Sequence, residues 1–263
     1  MFDFHKDKER YFEIQRIVTE DTIIPFLDKY LKNDHAKYIL EIGCAEAGVL
    51  KAFLQKGHKV VGVELSGSRF ESAGYFLHNE IVAGQAEILN KNIFDIDPST
   101  SFDRLFDIII LKDVIEHIPN QELFIPKLKE FLSDDGLIFF AYPPWCMPFG
   151  GHQQICRSKV LQVFPWFHLL PAFLYKSLLK VFKESDATIT ELMDVKATGI
   201  NTENLYKILD SYHFKILGEI FWFINPIYKF KFGWKKKQVF GVLTKIPYLR
   251  NFYTTAHYII FRK

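Results

Sequence analysis

The fold of this chain is decided by the segment YILEIGCAEAG, residues 38–48. An apolar run typical of a buried strand ends there in a turn of small residues, and a helix is predicted over residues 49–55. Gly43 lets the backbone turn sharply, and the small residues Ala45 and Gly48 leave room for a ligand to approach. Because the first N–H groups of a helix lack partners within it, this turn would favour an anionic or polar ligand group.

A second apolar strand, Lys59–Val63, ends in Glu64, which lies 21 residues after Gly43. At such a strand end an acidic side chain can accept hydrogen bonds from both hydroxyls of a ribose. The turn and Glu64 together therefore indicate a site for a nucleoside-containing cofactor. Read as G-x-A-x-x-G, residues 43–48 would hold the pyrophosphate of a nicotinamide cofactor. Read from Glu41 as E-x-G-x-A-x-A-G, they resemble motif I of the class I S-adenosylmethionine-dependent methyltransferases.

Strands and helices go on alternating after this pair. Further strands are predicted at Ala86–Leu89, Phe106–Leu111, Leu137–Ala141, Phe214–Phe223 and Thr254–Phe261. Successive strands separated by helices predict an open parallel sheet with helices on both faces. The expected fold class is therefore α/β: a Rossmann-like, doubly wound sheet of seven mostly parallel strands, the last one antiparallel.

Polar or small residues stand at the ends of four predicted strands. They are Glu41–Gly43, Glu64, Asn92 and Leu111–Asp113. Ligands of open α/β sheets bind beyond the carboxyl ends of the strands. Four separate strand ends would thus meet in one crevice, which supports a cofactor site more strongly than the glycine turn alone.

The chain resembles a class I methyltransferase, motif by motif, from Tyr38 to Ala141. Val60–Glu64 is similar to the ribose-binding strand, and Asn92-Ile93 to the pair that contacts adenine. Residues 106–117, FDIIILKDVIEH, are similar to the fourth motif with its V-x-E-H ending. The resemblance implies S-adenosylmethionine as the cofactor. The cofactor-binding residues that it implies are Glu41, Gly43, Cys44, Ala45, Gly48, Glu64, Leu65, Asn92, Ile93, Leu111, Lys112 and Asp113.

The chain departs from the family pattern at two places. Ala45 and Ala47 stand where glycines are more usual, and alanine is the smallest change that can be made there. Lys91-Asn92 stands where Gly-Asp is common, so an amide oxygen instead of a carboxylate would face the adenine amino group.

The 263 residues are predicted to form a single domain with four parts. Helices within residues 1–36 would close over the amino-acid end of the cofactor, and residues 37–141 would form the cofactor-binding core. Residues 142–201 form an aromatic-rich insertion, the predicted substrate lid. Residues 202–263 would supply a closing helix and a strand hairpin that carries a basic insertion.

Catalysis by such a site needs little more than positioning. A sulfonium methyl is already electrophilic, and orientation alone can supply about 7–11 kcal/mol of the barrier. If a general base acts, His152 is the best candidate because it follows the fifth strand at the mouth of the crevice. A loop histidine bonded to the backbone is the alternative. His117 is the second catalytic candidate. Because it precedes Pro119 in a turn, we expect it mainly to orient the start of the next helix beneath the cofactor.

The expected acceptor is a small molecule that is amphiphilic or contains a sugar, methylated on oxygen by in-line displacement. The aromatic lid would suit flat or amphiphilic rings. Residues 166–182 form an apolar stripe that either packs against the sheet or contacts a membrane surface as a peripheral anchor.

Two other function classes compete with methyl transfer. A nicotinamide-dependent oxidoreductase would use the same turn and acidic residue, but it leaves the segment Val114–His117 unexplained. A nucleic-acid-binding protein ranks third. It would use residues 211–263, which hold ten Lys and Arg residues and one acidic residue, Glu219. A solvated basic surface is the simpler interpretation of that charge.

Composition bounds the remaining expectations. The three cysteines form no C-x-x-C pair, so we expect no metal site and no disulfide framework. The segment Met1–Lys6 lacks the apolar core of a signal peptide, and no uncharged apolar run approaches the ~18 residues of a spanning helix. We therefore expect a protein of a reducing cytoplasm. The loop GGHQQ, residues 150–154, and the segment Thr198–Ile200 resemble those of bacterial methyltransferases, and this resemblance implies a bacterial origin.

Overall fold

The computed structural model describes residues 7–33 and 35–263. The segment 1–6, for which no signal peptide was expected, lies outside the described residues. Within the described residues eight strands form one sheet: β1 Tyr38–Ile42, β2 Lys59–Val63, β3 Ala86–Leu89, β4 Phe106–Lys112, β5 Leu132–Tyr142, β6 Lys215–Ile224, β7 Lys237–Gln238 and β8 Ala256–Arg262. Their order across the sheet is β3-β2-β1-β4-β5-β8-β6-β7.

The first five strands are parallel, and β8 runs antiparallel to both β5 and β6. This arrangement confirms the predicted α/β sheet and its antiparallel last strand. The expected count of seven strands is corrected to eight, because β7 pairs with β6 at the sheet edge. Two exposed residues within the basic insertion are too short a segment to show a strand pattern in the sequence.

Helices flank the sheet. They are α1 Lys8–Val18, α2 Ile24–Leu27, α3 Gly48–Leu54, α4 Gly67–Phe76, α5 His78–Val82, α6 Pro98–Ser101, α7 Gln121–Phe131, α8 Lys159–Val163, α9 Ala172–Val181, α10 Asp186–Thr198, α11 Thr202–Ser211, α12 Tyr228–Phe232, α13 Gly241–Thr244 and α14 Arg250–Tyr253. A π-helical turn, Thr19–Ile23, joins α1 to α2. In the part of the chain described, no helix is both long and apolar enough to cross a membrane.

Alternating side chains of the central strands enter two separate cores. Ile39 and Ile110 pack with Leu50 on the face covered by α1, α2 and α3. Leu40 and Ile109 point to the opposite face, which is covered by α7 and α11. Burial on both faces explains why these strands read as continuous apolar runs, and it confirms the doubly wound arrangement.

One strand start and one buried position differ clearly from the sequence prediction, whereas the bounds of β4, β6 and β8 shift by at most two residues. The strand β5 begins at Leu132, whereas the sequence predicted a start at Leu137. Leu132 pairs with Phe106 and Leu137 with Ile108, so the polar residues between them form an irregularity within the strand. In the sequence, helical spacing with Phe124, Leu128 and Phe131 predicts Leu123 on the buried face of α7, but Leu123 is 63% exposed.

The insertion after β5 has a small core of its own. Its buried members are Cys156, Leu161, Phe167, Tyr175, Leu179, Ile189 and Leu192. The apolar stripe of residues 166–182 therefore buries part of its surface within the insertion. Other residues of the stripe stay exposed, among them Phe173 and Val181 on α9.

Candidate active site

The glycine turn follows β1 directly. Gly43 has φ +72°, and its N–H donates to the Val63 carbonyl at 2.8 Å. A Cβ at this position would lie 2.5 Å from Cγ2 of Val114. Both the left-handed backbone and the close approach of Val114 therefore require glycine here.

Gly48 has a different role from the one that the sequence suggested. A Cβ there would lie 2.3 Å from the backbone oxygen of Phe12 and 2.8 Å from Cβ of Gln15. Gly48 thus lets the first turn of α3 approach α1 closely. The close packing of α3 against α1, and not room for a ligand, is therefore the main reason for glycine at this position.

A small pocket opens at this turn, between the carboxyl ends of β1 and β4 and the helix α1. Its lining residues are Tyr11, Gln15, Glu41, Gly43, Cys44, Ala45, Glu46, Gly48, Val49 and Lys112. Six of the twelve predicted cofactor residues thus share one pocket. The N-terminal helix was expected to cover this site, but the sequence did not identify Tyr11 or Gln15 as its lining residues.

Three buried acceptor atoms in this lining accept no hydrogen bond within the described chain: Gln15 Oε1, Glu41 Oε2 and Glu46 Oε2. Buried polar atoms are normally partnered, so these oxygens call for a donor. Burial raises the pKa of Glu41 well above its usual value, although the nearby Lys112 acts in the opposite direction. A ligand ammonium is the natural partner, and S-adenosylmethionine carries one on its amino-acid end.

Lys112 lines this pocket at the end of β4, and Asp113 follows it directly in the chain. The Lys112 Nζ is 2.5 Å from the Asp113 carboxylate, which sits on a residue with φ +57°. Burial alone would lower the pKa of Lys112, but Asp113 and neighbouring tyrosines raise it overall. The preceding Leu111 is fully buried between the sheet and its helices, so only its backbone can face a ligand.

Glu64 stands at the end of β2, but its carboxylate is occupied in this structure. It accepts hydrogen bonds from the N–H groups of Ala45 and Ser66, each at 2.8 Å. The predicted ribose contact would therefore share or replace these bonds. The carboxylate also ties β2 to the glycine turn, a role that the sequence did not suggest.

Leu65 is 69% exposed, and Asn90 fixes its backbone. The Asn90 amide donates to the carbonyls of Glu64 at 2.7 Å and Leu65 at 3.1 Å. Asn92 Oδ1 accepts from the Phe94 N–H at 3.0 Å, so the atom expected to face adenine caps a short helical turn. Ile93 is buried against the sheet.

The two predicted catalytic histidines meet in space. The rings of His117 and His152 pack edge to face with centroids 4.9 Å apart, although 35 positions separate them in the chain. Glu116 joins them, with one ligand atom of each residue within 4.8 Å of the others. Burial, aided by His117, lowers the pKa of His152 to about 4. The imidazole is therefore neutral at physiological pH and a weaker base than the sequence led us to expect.

The lid insertion is tied to the V-x-E-H segment. Thr198, at the end of α10, donates its hydroxyl to the Glu116 carbonyl at 2.6 Å. Gln121 donates its amide to the carbonyls of Ile115 and Thr198. Substrate-side and cofactor-side elements thus converge on one turn. A sequence pattern could not reveal this because the partners lie 82 positions apart.

Comparison with known proteins identifies the family. Residues 13–182, more than half of the chain, match the family described as a methyltransferase domain. Among curated relatives, pavine N-methyltransferase of Thalictrum flavum subsp. glaucum is 26% identical over 140 residues, 50% of this chain and 37% of that protein. The ubiquinone biosynthesis O-methyltransferase of Coxiella burnetii (strain Dugway 5J108-111) is 28% identical over 122 residues, 45% of this chain and 50% of that protein. The chain thus spans half or less of these relatives.

Solved structures share the fold. The plantazolicin methyltransferase BpumL in complex with S-adenosylhomocysteine (SAH) has a TM-score of 0.58 at 11% identity, covering 98% of this chain and 90% of that chain. Magnesium protoporphyrin IX methyltransferase from Synechocystis PCC 6803, with bound SAH, has a TM-score of 0.55 at 14% identity, covering 99% and 88%. The family match decides against a nicotinamide cofactor. The chain belongs to the methyltransferase domain family, and its cofactor is S-adenosylmethionine.

Proposed function

We propose that this protein transfers a methyl group to an oxygen of a small acceptor that is amphiphilic or contains a sugar. The observation that carries this proposal is the position of the pocket with the three unpartnered acceptor atoms. Gly43 of this pocket lies against Val114, which directly precedes the turn that anchors the lid, so a cofactor side and an acceptor side would share one crevice.

The cofactor would be held at two ends. We propose that Glu41, Gln15 and Glu46 receive the amino-acid end, since their unpartnered oxygens line the pocket. Glu64 and Leu65, with Asn92 and Ile93, would hold the nucleoside end at the ends of β2 and β3. When bound, S-adenosylmethionine supplies an electrophilic methyl group.

Transfer itself requires little from the protein beyond orientation. An acceptor oxygen forms the new bond to the methyl carbon, while the carbon–sulfur bond breaks and its electron pair stays on sulfur. The hydroxyl proton must leave during or before this step. We propose that His152 and His117 contact the acceptor on the lid side, where their rings stand together.

The acceptor class follows from the lid. Phe164, Trp166 and Phe173 expose a large part of their rings, and aromatic faces suit flat or amphiphilic molecules. The Coxiella burnetii relative is an O-methyltransferase, which supports an oxygen acceptor, whereas the Thalictrum flavum relative is an N-methyltransferase, which supports a nitrogen acceptor. We favour oxygen, with quinol-type and saccharide hydroxyls as the first classes to test.

The test is a methyl-transfer assay with deuterated S-adenosylmethionine and three acceptor panels: phenols and quinols, lipid-linked saccharides, and amines. The expected product carries the labelled methyl group on oxygen, located by fragmentation in a mass spectrometer. Products labelled only on nitrogen would contradict the proposal. The variant Glu64→Gln serves as a cofactor-side control that should lower turnover with every acceptor.

Peripheral membrane contact remains a prediction. Phe173 and Val181 on α9 are 69% and 75% exposed, and lysines accompany them at positions 176 and 180. An amphipathic surface of this kind suits an anionic bilayer interface. The parent protein should co-sediment with anionic vesicles, and a smaller fraction of the Phe173→Ser variant should do so. Absence of binding by the parent would exclude the contact.

A further inference from the structure

Glu116, His117 and His152 form a cluster whose chemistry is that of a metal site. One ligand atom of each lies within 4.8 Å of the other two. Metal–nitrogen and metal–oxygen bonds are about 2.1 Å long, so two ligands on opposite sides of an ion are about 4.2 Å apart. Small side-chain rotations would therefore bring all three onto one ion.

The Glu116 carboxyl independently indicates a missing partner. Its residue is only 3% exposed, and Oε2 accepts no hydrogen bond from the described residues. A buried carboxyl oxygen without a donor is unfavourable and rare in folded proteins. A cation held between this carboxylate and the two imidazoles would satisfy it.

Two parts of the chain hold the cluster in position. Glu116 and His117 end a short helical turn whose carbonyls are bound by Gln121 and Thr198. The N–H of His152 donates to the Phe149 carbonyl at 3.2 Å, and His152 has a left-handed backbone with φ +55°. The ligands thus come from a fixed turn after β4 and a fixed loop after β5.

We propose that Glu116, His117 and His152 bind a divalent first-row transition-metal ion such as Zn²⁺ or Mn²⁺. Imidazole and carboxylate ligands suit such ions, and three protein ligands leave coordination positions open. The role of the ion rests on the proposed O-methyl transfer, whereas the binding itself does not. An open position would take the acceptor hydroxyl and lower its pKa, so that the proton leaves to solvent before the oxygen attacks carbon.

The sequence did not indicate this site. The expectation of no metal rested on cysteine spacing, and the two histidines were weighed separately. They come together only because β4 and β5 are neighbours in the sheet and their following loops meet.

Direct binding tests the proposal. The full-length protein, freed of metal with EDTA and saturated with SAH, is titrated with Mn²⁺ and followed by electron paramagnetic resonance. We expect one bound ion per chain. Binding should weaken at least about tenfold in Glu116→Gln and in His152→Ala. The exposed His78 on α5 provides the matched control, His78→Ala, which should bind like the parent.

Further measurements keep the outcomes separable. Thermal stabilisation by SAH shows that each variant is folded and keeps its cofactor site. His117 is more exposed than Glu116, so His117→Ala provides a third ligand variant that should fold even if Glu116→Gln does not. Addition of Co²⁺ in place of Mn²⁺ should give visible absorption bands with the parent protein that are absent with His152→Ala. A parent protein that binds none of Mn²⁺, Zn²⁺ and Co²⁺, or folded variants that bind them equally well, would overturn the proposal.

The metal site and the methyl-transfer proposal can fail independently. Specific metal binding without methylation of any acceptor would leave the site and remove the proposed function. Methyl transfer by EDTA-treated protein that binds no metal would support the proposed function and remove the metal site.

Discussion

The cofactor-binding core and the lid insertion bury their apolar residues in different ways. The core uses both faces of the sheet, each covered by helices. The lid packs a separate cluster around Leu161, Tyr175 and Leu192, joined to the core at the turn of Glu116. The difference indicates that the lid can change with the acceptor while the cofactor site is kept.

Two matched substitutions, each of which creates a cavity in one of the two clusters, provide the strongest test that the core and the lid are separate. Leu50 in the core and Leu179 in the lid are both fully buried. Leu50→Ala should lower the free energy of unfolding by about 2–5 kcal/mol and weaken SAH binding. Leu179→Ala should reduce turnover because it disturbs the lid. It should leave SAH affinity within about twofold of the parent value, since a cavity in the lid cluster should not affect the distant cofactor site.

Urea unfolding and calorimetric titration with SAH measure both quantities. If Leu179→Ala weakened SAH binding as much as Leu50→Ala, the two regions would form one cooperative unit and the comparison would fail.

Two glycines of the core should respond with opposite signs. Gly43→Ala places a methyl group 2.5 Å from Val114 on a backbone with φ +72°, so we expect a loss of about 1–3 kcal/mol and weaker SAH binding. Gly74 lies within α4, and no atom of residues 7–33 and 35–263 lies within 4 Å of an added Cβ there. Gly74→Ala should therefore stabilise the protein by about 0.5–1 kcal/mol. Equal effects in urea unfolding would refute this account of the turn.

Glu41 predicts a trade-off between stability and binding. Its pKa is raised by burial, so above its ordinary value of 4.5 the folded state binds more protons than the unfolded state. Stability therefore falls as pH rises from that value towards the folded pKa. Glu41→Gln removes this titration and should be more stable than the parent near pH 7, with a flatter pH profile.

The same variant should bind SAH more weakly, because it loses a hydrogen bond to a charged group worth about 1.5–3 kcal/mol. Thermal unfolding across pH with and without SAH measures both effects. A variant that gained stability without losing affinity would remove Glu41 from the cofactor site.

The smallest expected effect concerns the link between the two regions. Thr198→Val deletes the hydroxyl that donates to the Glu116 carbonyl at 2.6 Å, at a cost of about 0.5–1.5 kcal/mol. Acceptor KM should rise while SAH affinity stays unchanged. Thr190→Val, at an exposed position of the same helix, is the control. Identical kinetics for the two variants would show that this hydrogen bond does not position the site.

Local patterns were sufficient for most of the sheet. Apolar runs located the strands β1–β5, and the glycine turn and Glu64 fell at their carboxyl ends as expected. The strand β7 was not predicted, because two residues are too few to show the alternation of apolar and polar side chains that marks a strand. Leu123 was assigned to the core by helical spacing, but the packing of α7 selected Ile125 instead.

The site was less predictable than the sheet. Glu41, Lys112 and the glycine turn were named because each occupies a strand end. Tyr11 and Gln15 were missed, since helical spacing does not show which side chains of α1 overhang the turn. The engagement of the Glu64 carboxylate by Ala45 was likewise invisible, because the two residues lie on different elements.

The sequence by itself determined the alternation of strands and helices, the turn after β1 and the family, because these depend on short-range periodicity and backbone conformation. Only the tertiary structure decided that His117 meets His152 beside Glu116, that three acceptor oxygens share a pocket without partners among the described residues, and that the lid encloses its own core. Those features depend on contacts between residues far apart in the chain, which form only once the sheet order brings their elements together.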